Sequence, residues 1–325
     1  MEAKKVFSKV GASYMIGYAI YFVIYIALYF IVNAVKPSIL ETGTVVLAAN
    51  FILLFGVGYP IMIYLLKKIP AEQTPKNSMG FMKLIGSICT SYFVMIVLAL
   101  VGAELISLIG SDNANPLANV LGEMNPVMTM IIVGILAPIY EEVLFRKLLI
   151  DRLRPYGEGL AIFMSGFMFG LFHGNLMQMI YAMGIGFIMA YIYVRTGKIG
   201  YTIAIHIFVN SFNSLLRIVL TEYAGFDKAL EYLNEGDTTA YMEYIYGNPT
   251  LLAALGIVGF GVIVIMIIGL VFLCVQACKV HFEQTEKQLE KGKKLSTALF
   301  NPGIAVFVIF FVVNIILSLL NISIL

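Results

Sequence analysis

Two glutamates, two histidines, an arginine and an asparagine stand inside segments otherwise built from apolar residues. Glu141, Glu142 and Arg146 share one apolar block, His173 lies in a second, and His206 with Asn210 in a third. The chain of 325 residues has only three histidines, and the third, His281, sits in a charged segment. A charge at the centre of a membrane-crossing helix costs about 2.5–3.5 kcal/mol on insertion scales, so such groups are usually paired or functional. Glu142 and Arg146 are four residues apart and can pair along one helix face. Glu141 lies about 100° further round the helix and is free to point into a cavity. Phe169 with His173, and His206 with Asn210, are also four apart, so each pair projects from one face.

This set suits hydrolysis by an activated water. A carboxylate and an imidazole can hold and deprotonate the water. An imidazole N–H and a carboxamide N–H can stabilise the oxyanion that forms on the attacked carbonyl. No G-x-S-x-G elbow occurs, and no cysteine adjoins a motif histidine, so water is the expected nucleophile. Ser165 is the hydroxyl that folding could still bring close. Zinc is the alternative: Glu141, His173 and His206 form a two-histidine, one-carboxylate set of a kind zinc accepts, although H-E-x-x-H is absent.

The elements that must position these residues are transmembrane helices. Apolar residues make up 60% of the chain and charged residues 12%, too few to coat a soluble globule. Mean hydropathy is +0.92. Apolar blocks of about 20 residues match the length a helix needs to cross hydrocarbon. The pattern predicts an all-α, polytopic bundle of nine spans, near 12–35, 44–66, 84–109, 126–148, 160–175, 177–194, 199–220, 250–278 and 300–322. The first reads as a retained span. It divides into accessory helices (1–125), a core with the chemistry-bearing residues (126–216), an external acidic loop (217–249) and a C-terminal pair of helices (250–325). Segment 279–298 reads as a solvated helical extension with Glu/Lys pairs four apart. Cys89, Cys274 and Cys278 read as buried, reduced and structural.

Charge alternates between successive connections. Lys4, Lys5 and Lys9; Lys67, Lys68, Lys76 and Lys83; Arg146, Lys147, Arg152 and Arg154; Arg195 and Lys198; and Lys279 to Lys294 fall on one set. Glu41, Asp112, Glu123 and the acidic stretch from Glu222 to Glu243 fall on the other, opposed there by Lys36 and Lys228. The positive-inside rule then predicts a cytoplasmic N-terminus and an external C-terminus. Net charge of +2 points to no nucleic-acid partner; the expected partners are the lipid bilayer and a peptide or membrane-protein substrate, with oligomeric state left open.

Glu141-Glu142-x-x-x-Arg146, Phe169-x-x-x-His173 and His206-x-x-x-Asn210, in that order on separate helices, resemble the CAAX protease and bacteriocin-processing (CPBP, also ABI) family of intramembrane endopeptidases. The resemblance covers roughly residues 126–216. It implies a glutamate-dependent, metal-independent peptidase without cofactor, in a multi-pass protein of the bacterial cytoplasmic membrane. Glu141 and His173 would activate water, and His206 and Asn210 would form the oxyanion site. Glu142 and Arg146 would support the helix, with Phe169 in the pocket wall. The family includes members that trim prenylated C-termini, members tied to bacteriocin immunity and members that process peptide pheromones. Two other readings remain: a non-catalytic immunity or sensing protein that binds a peptide or membrane partner, and a proton-coupled transporter. The absence of an internal repeat speaks against the transporter. The expected depth of the site is the cytoplasmic half or middle of the membrane.

Overall fold

The computed structural model describes residues 2–39, 43–111 and 125–320, and among these the chain is helical with no strand. Eight helices are long and apolar enough to cross a membrane, which makes this a multi-pass membrane protein. They are α1 (Glu2–Val35), α2 (Val45–Lys67), α3 (Phe81–Ile109), α4 (Pro126–Tyr156), α6 (Leu176–Thr196), α7 (Ile199–Tyr223), α10 (Pro249–Ala277) and α12 (Pro302–Leu319). Between α4 and α6 lies the shorter α5 (Glu158–Phe172), and the described residues also hold three short α-helices: α8 (Phe226–Asn234), α9 (Thr238–Gly247) and α11 (Lys294–Leu299).

The nine expected spans are therefore, among the described residues, eight long helices and one short arm. At 1.5 Å per residue, the 15 residues of α5 reach roughly 22 Å, less than the hydrocarbon thickness. Gly157 and Gly174, both at positive φ, end it on either side. The chain then reverses. The Asn175 side chain accepts from the Gln178 N–H and starts α6, which packs back along α5. Arg195 near the end of α6 pairs with Glu158 at the start of α5, so this hairpin returns to the side it left.

α6 is the most buried of the spans and packs between α3 and α5. α1 and α12 close one flank of the bundle, and α10 leans on α3 at the other. α10 is apolar all round and mostly exposed, as expected of a helix facing lipid. Cys274 and Cys278 lie at its end and are exposed, contrary to the sequence expectation; Cys89 is buried. An apolar block alone does not separate a lipid-facing position from a protein-facing one.

Segment 279–298 also departs from expectation. It is irregular up to a short turn at Lys291–Lys293, and only α11 is helical. Several of its groups bond to other elements. The Leu289 N–H donates to the Tyr156 carbonyl, Thr285 Oγ1 to the Pro155 carbonyl, and the Glu283 N–H to Glu158 Oε2. Tertiary contacts override the local helix propensity. The acidic segment after α7, expected as a loop, contains α8 and α9. Glu41, Asp112 and Glu123 lie outside the described residues.

Candidate active site

The site begins with a proline. Pro138 in the middle of α4 has no N–H to give to the Gly134 carbonyl four residues back. The preceding turns relax into a π-helical stretch, Met130–Leu136, in which the Ala137 N–H reaches back to the Ile132 carbonyl. The Ala137 N–H that would serve the Val133 carbonyl is thus turned elsewhere, and the Gly134 carbonyl loses its usual donor to Pro138. α7 supplies donors to both: Asn210 Nδ2 donates to the Val133 carbonyl at 3.0 Å and Ser211 Oγ to the Gly134 carbonyl at 3.1 Å. A second π-helical stretch, Val143–Leu148, follows the glutamates. There Tyr14 of α1 donates to the Leu144 carbonyl at 2.9 Å and Ser165 of α5 to the Phe145 carbonyl at 2.8 Å. Ser165 is fully buried in that structural role and is not placed as a nucleophile. π-helical turns of this kind recur at functional sites.

These ties hold α4, α5 and α7 in register, and the motif side chains converge. Glu142 is completely buried; its Oε2 lies 3.2 Å from Arg146 Nε, and its Oε1 lies 2.9 Å from His206 Nδ1. The pairing of Glu142 with Arg146 expected from their spacing is thus present, and His206 joins it from α7. The other ring nitrogen, His206 Nε2, lies 3.6 Å from Glu141 Oε2. Glu141 retains 13% side-chain exposure and faces a cavity, so the two adjacent glutamates point to different surroundings.

His173 caps the end of α5, with Nδ1 2.8 Å from the Phe169 carbonyl. A carbonyl only accepts, so Nδ1 carries the proton and Nε2 keeps its lone pair. Phe169 stands between the histidines, its ring perpendicular to His173 at 4.9 Å and to His206 at 5.6 Å between centroids. The Arg146 guanidinium lies over the same ring, 4.5 Å from its centroid. Such a stack favours a desolvated guanidinium.

A cavity of about 430 Å³ takes in Glu141, His173, His206, Asn210 and Phe169 together. Aromatic and aliphatic side chains of α2, including Phe51, Phe55 and Tyr59, form its apolar wall. Glu142 and Arg146 are not in its lining; they stand behind it. All seven residues singled out in the sequence therefore gather in one place. Tyr59, Gln178, Tyr181 and Arg217 also line the cavity and were not singled out. The helical spacing from His206 to Asn210 continues to Arg217 and was readable; Tyr59 comes from a span with no motif and was not. Among the described residues, no group of three or more His, Cys, Asp or Glu side chains is arranged to hold a metal ion.

Residues 123–212 match the sequence profile of the family described as "Type II CAAX prenyl endopeptidase Rce1-like". Over that segment the chain is similar to the Rce1-like family. The matched stretch holds Glu141, Glu142, Arg146, Phe169, His173, His206 and Asn210. The chain is also similar to a curated protein of Bacillus subtilis (strain 168) named "Putative membrane peptidase YdiL". The two are 27% identical over 165 residues, covering 49% of this chain and 67% of the relative. No solved structure matches it.

Proposed function

We propose that this protein is an intramembrane endopeptidase that hydrolyses peptide bonds with a water held by Glu141 and His173. The observation that carries the reading is the shared cavity, in which an ionisable carboxylate, an imidazole with a free lone pair and two polar groups of α7 face one space. The water oxygen attacks the scissile carbonyl carbon while its proton passes to the Glu141–His173 pair. The carbonyl electron pair becomes an oxyanion, stabilised by the second Asn210 N–H and by His206 Nε2–H. With Nδ1 turned to Glu142, His206 donates from Nε2 only as the imidazolium. Collapse of the oxyanion breaks the C–N bond, and the stored proton goes to the departing amine. The family match and the peptidase-named relative support hydrolysis over transport or passive binding.

Substrates of this class are peptides or membrane proteins whose cleavable segment unwinds inside the cavity. The location we infer is the cytoplasmic membrane of a bacterium, which the bacterial relative and the eight apolar helices support. The test is cleavage of a quenched-fluorescent peptide library by the purified, reconstituted protein. Glu141→Gln and His173→Gln are expected to lower turnover about 10²–10⁴-fold, the range of a lost general base, with thermal unfolding unchanged. Activity is expected to survive EDTA; stoichiometric zinc that leaves together with activity would transfer the mechanism to the metal. If Glu141→Gln retains wild-type turnover, the proposal fails.

A further inference from the structure

The polar face of α7 does not stop at Asn210. His206, Asn210, Asn213, Ser214 and Arg217 follow one another at helical spacing, and all five line the cavity. Four of them are already engaged by the protein. His206 is bonded to Glu142 and Asn210 to the Val133 carbonyl. Asn213 Oδ1 accepts from Tyr92, and Ser214 donates to the Asn210 carbonyl. The fifth is different: the Arg217 guanidinium has neither an ion pair nor a hydrogen bond among the described residues, although the residue is half-buried within the span α7. Glu141 and Arg217 are the Asp, Glu, Lys or Arg residues in the cavity lining, one at each end of the polar stripe.

We propose that Arg217 is the anion-binding residue of this cavity and receives a carboxylate of the peptide substrate. The proposal rests on the peptidase reading above. A cation kept inside a membrane span without a protein partner is costly. A guanidinium offers a planar fork of N–H donors that matches a carboxylate in two parallel bonds. The separation sets where that carboxylate lies. Eleven residues of helix place Arg217 roughly 16 Å along the axis from His206, and helical side chains lean back toward the N-terminus, which shortens the gap. At about 3.3 Å per extended residue, the carboxylate sits about three to five residues from the cleaved bond. It is the C-terminal carboxylate of a short leaving segment or an acidic side chain at that distance.

The experiment uses the reconstituted full chain and peptides made in three forms: free C-terminal acid, C-terminal amide, and amide with a glutamate about three to five residues beyond the scissile bond. The wild type is expected to favour a carboxylate-bearing form by about 10–100-fold in kcat/KM, chiefly through KM, as for a charge-assisted hydrogen bond in a shielded site. In Arg217→Gln the acid and amide forms converge; in Arg217→Lys, which keeps the charge but not the fork, part of the preference returns. A preference for the free acid alone assigns the C-terminus as the source, and equal preference for the internal glutamate assigns either carboxylate. Equal wild-type rates on all three forms overturn the proposal. So does an Arg217→Gln variant that slows every form alike, since the arginine then only anchors α7 to lipid headgroups. Absence of any Glu141-dependent cleavage overturns the peptidase reading and this proposal together.

Discussion

His206 is bracketed by two carboxylates that neighbour each other in sequence, and this fixes what each can do. Glu142 meets it at 2.9 Å on one ring nitrogen and Glu141 at 3.6 Å on the other. Because Glu142 also faces Arg146, removing its charge leaves a fully buried guanidinium without its counter-ion. Breaking a buried pair by removing one partner costs about 3–5 kcal/mol, whereas replacing both members is far milder. Glu142→Gln is therefore expected to lower the thermal unfolding midpoint strongly, and adding Arg146→Met is expected to recover part of the loss. Melting in detergent measures both; a Glu142→Gln variant as stable as wild type would sink the counter-ion role. The i,i+4 spacing made Glu142–Arg146 legible in the sequence. The bond to His206 was not, because it crosses from α4 to α7 and no spacing within one helix encodes it.

At the scale of elements, the irregular turns of α4 explain more than the regular ones. Pro138 removes a helical donor, and α7 answers with Asn210 and Ser211. Asn210 thus serves structure with one N–H and leaves the other for the cavity. The sequence displayed both Pro138 and Ser211, but only the docking of α7 on α4 shows that one compensates for the other. Ser211→Ala is expected to cost about 0.5–2 kcal/mol, the range for an interhelical hydrogen bond in a membrane protein. The same substitution in a Pro138→Ala background is expected to cost less, because an alanine in place of the proline restores a backbone N–H for the Gly134 carbonyl. A double-mutant cycle on unfolding free energy tests this, and equal costs in both backgrounds would break the link. The shortness of α5 was legible in part: the sixteen residues from 160 to 175 are few for a span. The hairpin itself depends on Gly157 and Gly174 at positive φ, conformations that composition does not reveal.

For the whole molecule, the contacts gather the connections onto two opposite faces. Lys287 pairs with Glu72, the Glu72 N–H donates to the Asp151 carbonyl, and the Asn77 N–H donates to the Thr196 carbonyl. Ser8 near the start of α1 accepts from the Gly303 N–H at 3.1 Å, and Phe7 packs on Tyr156. The starts of α1 and α12 therefore share a face with residues 67–80, 151–158 and 279–290. Gly303 permits that approach: a Cβ there would strike the Ser8 carbonyl. At the other ends, Ser111 Oγ, just after α3, donates to the Leu319 carbonyl, which joins the far ends of α3 and α12. Most of the lysines and arginines that lay scattered along the chain thus collect on one face, while the acidic segment holding α8 and α9, with Lys228 its lysine, belongs to the end where α7 stops and α10 begins. The hairpin of α5 and α6 returns to its own side, so it does not disturb this parity whether or not its short arm crosses fully. We propose that the basic face is cytoplasmic, on the positive-inside rule. In a background lacking Cys89, Cys274 and Cys278, Lys287→Cys is expected to react with an impermeant maleimide only after the cytoplasmic side is opened, and Asp237→Cys from outside intact cells. Labelling in the reverse sense would invert the orientation, and labelling of both from one side would contradict α10 as a crossing helix.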